Sequence, residues 1–292
     1  MANFGLIGNI SGLMLLTLCI LVGGLAFEVL VLRMTKIEAL REHTQLLRLR
    51  WLSGWVIAMM MLSGVSVWLL ALPVWILVVR LLMGSGILLL LSAVRPVREQ
   101  WRTLAIGVLL LQTQSFISRS AHLPRPVVPL LADWFHLTLA AVWLGGVAML
   151  ALIIARVWRD PSRETILAVS GVLQRFSLIA MFCVLGLAAS GVAQAGLFLN
   201  SFADLLRTPY GITLLIKLAL FVMLIGFGAF HRQRIMPMLR DLLLRTKLEA
   251  AETQSRVAVA QLRWSLLLES GVGVLVLLVV GLLTTLPLSF NP

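Results

Sequence analysis

Acidic residues are scarce in this chain, with 12 Asp and Glu against 24 Lys and Arg among 292 residues. Charge of either sign is scarce as well, at 12% of the sequence. So few charges cannot cover the surface of a water-soluble protein of this size. Cysteine is nearly absent. Cys19 and Cys183 stand far apart, with no CxxC spacing, which excludes a disulfide framework and a thiolate zinc site. Both read as apolar packing residues. There are only four histidines, His43, His122, His136 and His231. A b-type haem needs two axial ligands on facing helices, and only an awkward His122–His136 pair is on offer, so haem is set aside. No phosphate-binding glycine loop and no nucleophile–base constellation occurs. An enzyme is therefore not expected.

What the chain has in abundance is apolar sequence. It is 60% hydrophobic, with a mean hydropathy of +1.02. Apolar runs of about 20 residues mark membrane spans. Eight such runs are read, at 5–32, 51–72, 74–94, 101–117, 127–155, 172–199, 210–230 and 265–288. The fourth is the weakest, because Gln112, Gln114 and Ser115 interrupt it. The first lacks a basic leading segment and outruns a signal-peptide core, so a retained helix is expected there. The predicted fold is all-α: a polytopic helical bundle in a lipid bilayer. It forms a single integral membrane domain over 1–292, with a four-span half at 1–118 and a second at 119–292 that contains the loop 231–264.

The placement of the basic residues orients this bundle. Five Lys/Arg lie between Arg33 and Arg50, three between Arg95 and Arg102, four between Arg156 and Arg175, and seven between Arg232 and Arg263. The opposite connections hold only Arg119, Arg125 and Arg207. Lys and Arg accumulate on the cytoplasmic side, so both termini are expected outside. Topology accounts for the net charge of +12, and no nucleic-acid partner is invoked. The stretch Leu239–Arg263 alternates charged and apolar residues at helical spacing. It reads either as an amphipathic helix on the cytoplasmic membrane surface or as an extension of the eighth span.

Ionisable groups inside apolar runs are costly and mark functional sites. His136 is the foremost. Asp133 lies three residues before it, on the same helix face, and Trp143 continues that face. At about 1.5 Å of rise per residue, Arg80 falls roughly 9 Å, Lys217 roughly 10 Å and Gln194 roughly 8 Å from the outer ends of their spans. These groups define one polar layer near the outside. Each also has a structural reading: snorkelling for Arg80 and Lys217, interhelical hydrogen bonding for Gln194. Glu28 and Glu269 lie near the inner ends of spans one and eight. They form a candidate inner-side site, or pair with Arg33 and Arg263. Twelve methionines are present, of which Met149, Met181 and Met223 fall at mid-span. Thioether sulfur suits Cu(I), while imidazole and carboxylate suit Cu(II). Methionine is also common packing material.

These residues carry a family resemblance. Asp133-Trp134-Phe135-His136, followed by Ala140-Ala141-Val142-Trp143-Leu144-Gly145-Gly146, resembles the D-x-x-H…A-A-x-W-x-G-G segment of the CopD family of copper-resistance membrane proteins. Arg175-Phe176-Ser177 with Ala189-Ser190-Gly191 is similar to that family. So are Tyr210-Gly211, Leu215-Ile216-Lys217, Phe230-His231-Arg232, Pro237, Leu268-Glu269 and Leu286-Pro287. Ser120-Ala121-His122 resembles an S-H-A element in altered order. The likeness covers roughly residues 120–288. The first span lacks the histidine that some relatives carry there.

The resemblance implies an eight-span bacterial inner-membrane protein that handles copper ions, with a separate periplasmic CopC-like copper carrier as partner. On that reading His136, Asp133 and His122 are the expected metal ligands. Trp143, Lys217, Arg80 and Gln194 support them, and Met149, Met181 and Met223 are a candidate Cu(I) relay. Two rivals remain at this point. One is a non-transporting module that docks a periplasmic carrier. The other is a proton-coupled transporter of a different substrate, using Glu28, Glu269 and His136.

Overall fold

The computed structural model describes residues 2–32, 38–70, 72–92, 97–157, 163–199, 201–244 and 248–286. Among them every regular element is helical. The long helices are α1 (Ala2–Leu30), α2 (Glu38–Leu70), α3 (Val74–Ser92), α4 (Val97–Gln112), α5 (Val127–Val157) and α6 (Arg163–Phe198). A short α7 (Asp204–Arg207) precedes α8 (Pro209–Phe230), α9 (Met236–Leu244) and α10 (Leu248–Leu283). One π-helical turn, His231–Ile235, joins α8 to α9.

Local chemistry sets these boundaries. The α8 start is capped by Thr208, whose Oγ1 accepts from the Gly211 amide at 3.0 Å. Pro209 occupies the first turn, where its missing N–H costs nothing. Pro124 and Pro126 lie in the bend that precedes α5. Pro129 is tolerated because it too lies in a first turn, and Leu130 closes that turn onto Pro126 O at 2.8 Å.

A helix that is apolar all round belongs inside a bundle. α1 is such a helix, and it packs against α2, α4, α5 and α10 at the centre. Two crossings bring its backbone very close to neighbours. Gly23 meets Ala141 and Gly145 of α5, and Gly12 meets Gly281 of α10, with no room for a Cβ at either contact. Two apolar clusters result. One joins α1 to α2, α3 and α4 through Leu18, Leu52, Met59, Ile87 and Leu110. The other joins α5, α6, α8, α9 and α10 through Leu150, Leu173, Leu224, Leu239 and Leu262.

Outward-facing positions are apolar too. Trp68, Leu82, Leu89, Phe182, Val192 and Val222 are all well exposed, which suits hydrocarbon and not water. Six helical stretches are long and apolar enough to cross a membrane: Ile7–Leu30, Val74–Ser92, Val127–Arg156, Ile166–Phe198, Pro209–Asp241 and Val257–Leu283. The eight-span expectation counted two more. In α2 the apolar part is Trp51–Ser66, which is shorter. α4 has 16 residues, roughly 24 Å against a hydrocarbon core of about 30 Å. The stretch Leu239–Arg263 is divided. Its start forms the end of α9, residues 245–247 lie outside the described residues, and the remainder extends α10.

The polar interruption of the fourth run has a structural purpose. Gln112 Nε2 donates to Thr138 Oγ1 of α5 at 2.8 Å. Thr113 Oγ1 and Gln114 Oε1 accept from Arg80 Nε and Nη2 at 2.8 and 2.9 Å. These bonds tie α3, α4 and α5 together at one end of the bundle. At the same end Arg119 donates to the carbonyls of Thr284 and Leu286 beyond α10 and stacks over Tyr210 of α8.

Candidate functional site

The site forms where α5, α6 and α8 meet near the 113–122 segment. His136 projects from α5 and is half-buried. Its Nδ1 lies 2.8 Å from Ser190 Oγ of α6. The Ser190 hydroxyl already donates to Gly186 O at 2.6 Å. When that hydroxyl keeps its proton on Gly186 O, Nδ1–H of His136 donates to Ser190 and the Nε2 lone pair is left to ligate. This is the arrangement by which a metal-binding imidazole is usually oriented. Gly191 keeps α6 slim beside the ring, since a Cβ there would stand 3.7 Å from Cε1.

Asp133 lies one turn before His136. Its Oδ2 accepts from Ser118 Oγ at 3.0 Å. Lys217 reaches the same space from α8 and interacts electrostatically with both Asp133 and His136. Gln194 Nε2 donates to Ala132 O at 3.4 Å, fastening α6 to the same turn of α5. His122 is exposed, and its Nδ1 donates to Ser118 O at 3.0 Å. Ser118 is thus the common partner of His122 and Asp133. Asp133 and His136 thus share one stretch of α5 with Lys217 coupled to both, Gln194 bonds the backbone beside them, and His122 shares Ser118 with Asp133.

Arg80 stands apart from this group. It is 1% exposed and held by Thr113 and Gln114. Trp143, two turns along α5 from His136, is buried and meets Phe221 of α8 edge-on at 5.7 Å. The three mid-span methionines occupy three different surroundings. Met149 is buried against Gly24 of α1. Met223 lines a lateral groove of about 740 Å³ between α8 and α10. Met181 is partly exposed and lines a cavity with Trp143. Among the described residues no three His, Cys, Asp or Glu side chains gather as a metal cluster.

A second polar group was only half legible. Glu269 of α10 is 2% exposed, and its Oε2 lies 3.5 Å from Nδ1 of His231. His231 Nε2 is 2.7 Å from Ser265 Oγ. Both ionisable residues line the cavity of about 190 Å³ that has Trp143 on its wall. Glu28 is buried on α1, and Arg33 lies outside the described residues. Sequence reading offered Arg33 or Arg263 as the partner of Glu269 and did not name His231. The available signal was the four-residue step from Ser265 to Glu269, which puts both on the face that meets His231. Ser190 and Ser118 were likewise missed, because serine in a small-residue stretch reads first as packing.

The family model for copper resistance protein D matches residues 170–283. Those residues hold Ser190, Gln194, Lys217, His231, Ser265 and Glu269. The chain is 34% identical over 126 residues to the copper transport protein CutJ of Bacillus subtilis (strain 168), covering 42% of this chain and 22% of that protein. It is 31% identical over 155 residues to the inner membrane protein YebZ of Escherichia coli (strain K12), covering 52% of this chain and 46% of that protein. The chain therefore spans about a fifth of the length of the first and about half of the second. No solved structure matches significantly. The apolar helices and these relatives identify a multi-pass inner-membrane protein. Residues 170–283 are thus similar to the copper resistance protein D family.

Proposed function

We propose that this protein carries copper ions inward across the bacterial inner membrane and thereby serves copper homeostasis. It acts as a transporter and not as an enzyme. In this reading α2 and α4 complete eight crossings, both termini face the periplasm, and the His136 end of the bundle is the entry side. The two four-span halves act as one domain, with α1 of the first half packed against α5 and α10 of the second. A separate CopC-like carrier delivers the ion at the His122 surface.

The observation that carries the reading is the His136 imidazole, held through Nδ1 by Ser190, one turn from Asp133 and coupled with it to Lys217. Imidazole nitrogen and carboxylate oxygen are ligands for Cu(II) and acceptable ones for Cu(I). A protonated lysine cannot ligate. Lys217 instead balances Asp133 while no cation is held, so the carboxylate is never left as an uncompensated charge. An arriving cation takes over that role. Gln194 and Ser118 keep the two ligands in register, and His122 offers a first contact at the surface.

The test is copper accumulation in cells that express wild type or His136→Ala at equal membrane levels. The variant should accumulate markedly less copper. Equal accumulation would overturn the assignment of His136 as the entry ligand.

A further inference from the structure

The groove between α8 and α10 lies on the side of the bundle and has a volume of about 740 Å³. Met223, Gly226 and Phe230 line it from α8, and Val257, Gln261 and Trp264 from α10. Its rim is open to the surroundings, with Trp264 63% exposed.

The register of the two helices gives its length. His231 Nε2 lies 2.7 Å from Ser265 Oγ, so residues 231 and 265 stand at one level. At the other end of α8, Tyr210 lies under Arg119, which bonds the Thr284 and Leu286 carbonyls. The two helices are therefore antiparallel. Met223 is eight residues from His231 toward the Lys217 end, and Val257 is eight residues from Ser265 the other way. At about 1.5 Å per residue the groove spans roughly 24 Å along the bundle. One bilayer leaflet with its headgroups is about 20–22 Å deep, half of the full thickness.

Its two ends differ in chemistry. Toward Lys217 the wall is Met223, Gly226 and Leu268, all apolar. Toward the other end come the Gln261 amide and the Trp264 indole, and the Arg263 guanidinium stands 5.8 Å from the Trp264 ring. The π-helical turn carries the exposed Arg234 round to the face of Phe230. Arg232 is turned the other way, with Nη1 donating to Met181 Sδ of α6 at 3.5 Å. From Arg232 to Arg263 the chain has seven Lys and Arg against three Asp and Glu.

We propose that this groove is a binding site for one anionic phospholipid. Its acyl chains lie against Met223 and Gly226, and its phosphate meets Arg263 and Arg234. An amphiphile with one apolar end and one anionic end fits a groove with one apolar and one basic end. Basic pockets between membrane helices select anionic headgroups in this way. A partner helix would instead call for small residues along the whole contact, and here Met223, Phe230 and Trp264 stand on the walls. The bound lipid braces α8 against α10. The site is separate from His136 and does not rest on the copper reading.

The full-length protein in detergent is titrated with phosphatidylglycerol or phosphatidylcholine and followed by native mass spectrometry. Wild type should hold one phosphatidylglycerol more tightly than phosphatidylcholine. Gly226→Leu fills the groove, where no atom lies within 4 Å of a Cβ, and should abolish that binding. Gly171→Leu, at an equally open position on α6, should keep it. Arg263→Gln and Arg234→Gln should each weaken phosphatidylglycerol about fivefold and leave phosphatidylcholine unchanged. Equal binding by wild type and Gly226→Leu puts the lipid elsewhere and overturns the site. Equal affinity of wild type for the two lipids overturns the anionic headgroup. A wild-type dimer that Gly226→Leu converts to monomer gives the groove to a second copy of the chain, and the proposal fails.

Discussion

The crossing of α1 and α5 gives the most direct test of the packing. A Cβ built on Gly145 would lie 2.6 Å from Gly23 Cα and would also strike Cys19 O. Carbon atoms in contact prefer about 3.5–4.0 Å, so Gly145→Ala requires the two helices to separate by roughly 1 Å. The obstacle is backbone, which no rotamer change removes. Overpacking of this kind costs about 1–3 kcal/mol, partly offset by the better helix propensity of alanine, about 1 kcal/mol. Two other glycines calibrate the effect. At Gly146 the obstacle is the ring of Phe176, whose Cζ would be 2.9 Å away, and a ring can turn. At Gly171 nothing lies within 4 Å. The three alanine variants are compared by thermal unfolding in one detergent. Gly145→Ala should be the least stable, Gly146→Ala intermediate, and Gly171→Ala equal to or above wild type. If Gly145→Ala unfolds at the same temperature as Gly171→Ala, the close crossing does not exist as described.

Two predictions concern the His136 cluster. Ser190→Ala removes the acceptor that sets the imidazole tautomer and should weaken copper binding about 10–100-fold at unchanged protein yield; wild-type affinity in competition titration would refute the tautomer argument. Lys217→Met leaves Asp133 without its counter-charge and should lower thermal stability, whereas Asp133→Asn/Lys217→Met should recover most of the loss. Additive losses in that double variant would mean the two side chains are not coupled.

The parts of this molecule legible in the sequence are those with a local signature. Apolar run length gave the helices, because a bilayer allows few other ways to satisfy the backbone. The three-residue step from Asp133 to His136 gave one face of the site. Lys217 and Gln194 joined it because depth along a helix is simple arithmetic. Arg80 shows where that arithmetic stops. It shares their depth, yet Thr113 and Gln114 hold it elsewhere, since depth says nothing about azimuth around the bundle. The pairing of His231 with Glu269 was hidden for a similar reason. A histidine at the foot of an apolar run reads as a loop residue until the π-turn after Phe230 and the long N-terminal extension of α10 are seen. The residue types were visible throughout; which helix faces which was not.

α8 is exposed along most of its length, with Ile212, Ile216, Val222 and Met223 facing outward. It touches the bundle mainly through a narrow strip that includes Tyr210, Leu224 and His231. Lipid, more than protein, is therefore the solvent of the helix that bears Lys217 at one end and His231 at the other. Bilayer thickness and acyl-chain order act on its tilt directly, at fractions of a kcal/mol per ångström of mismatch. The depths of Lys217 and His231 in the bilayer are in this sense properties of the membrane as well as of the sequence.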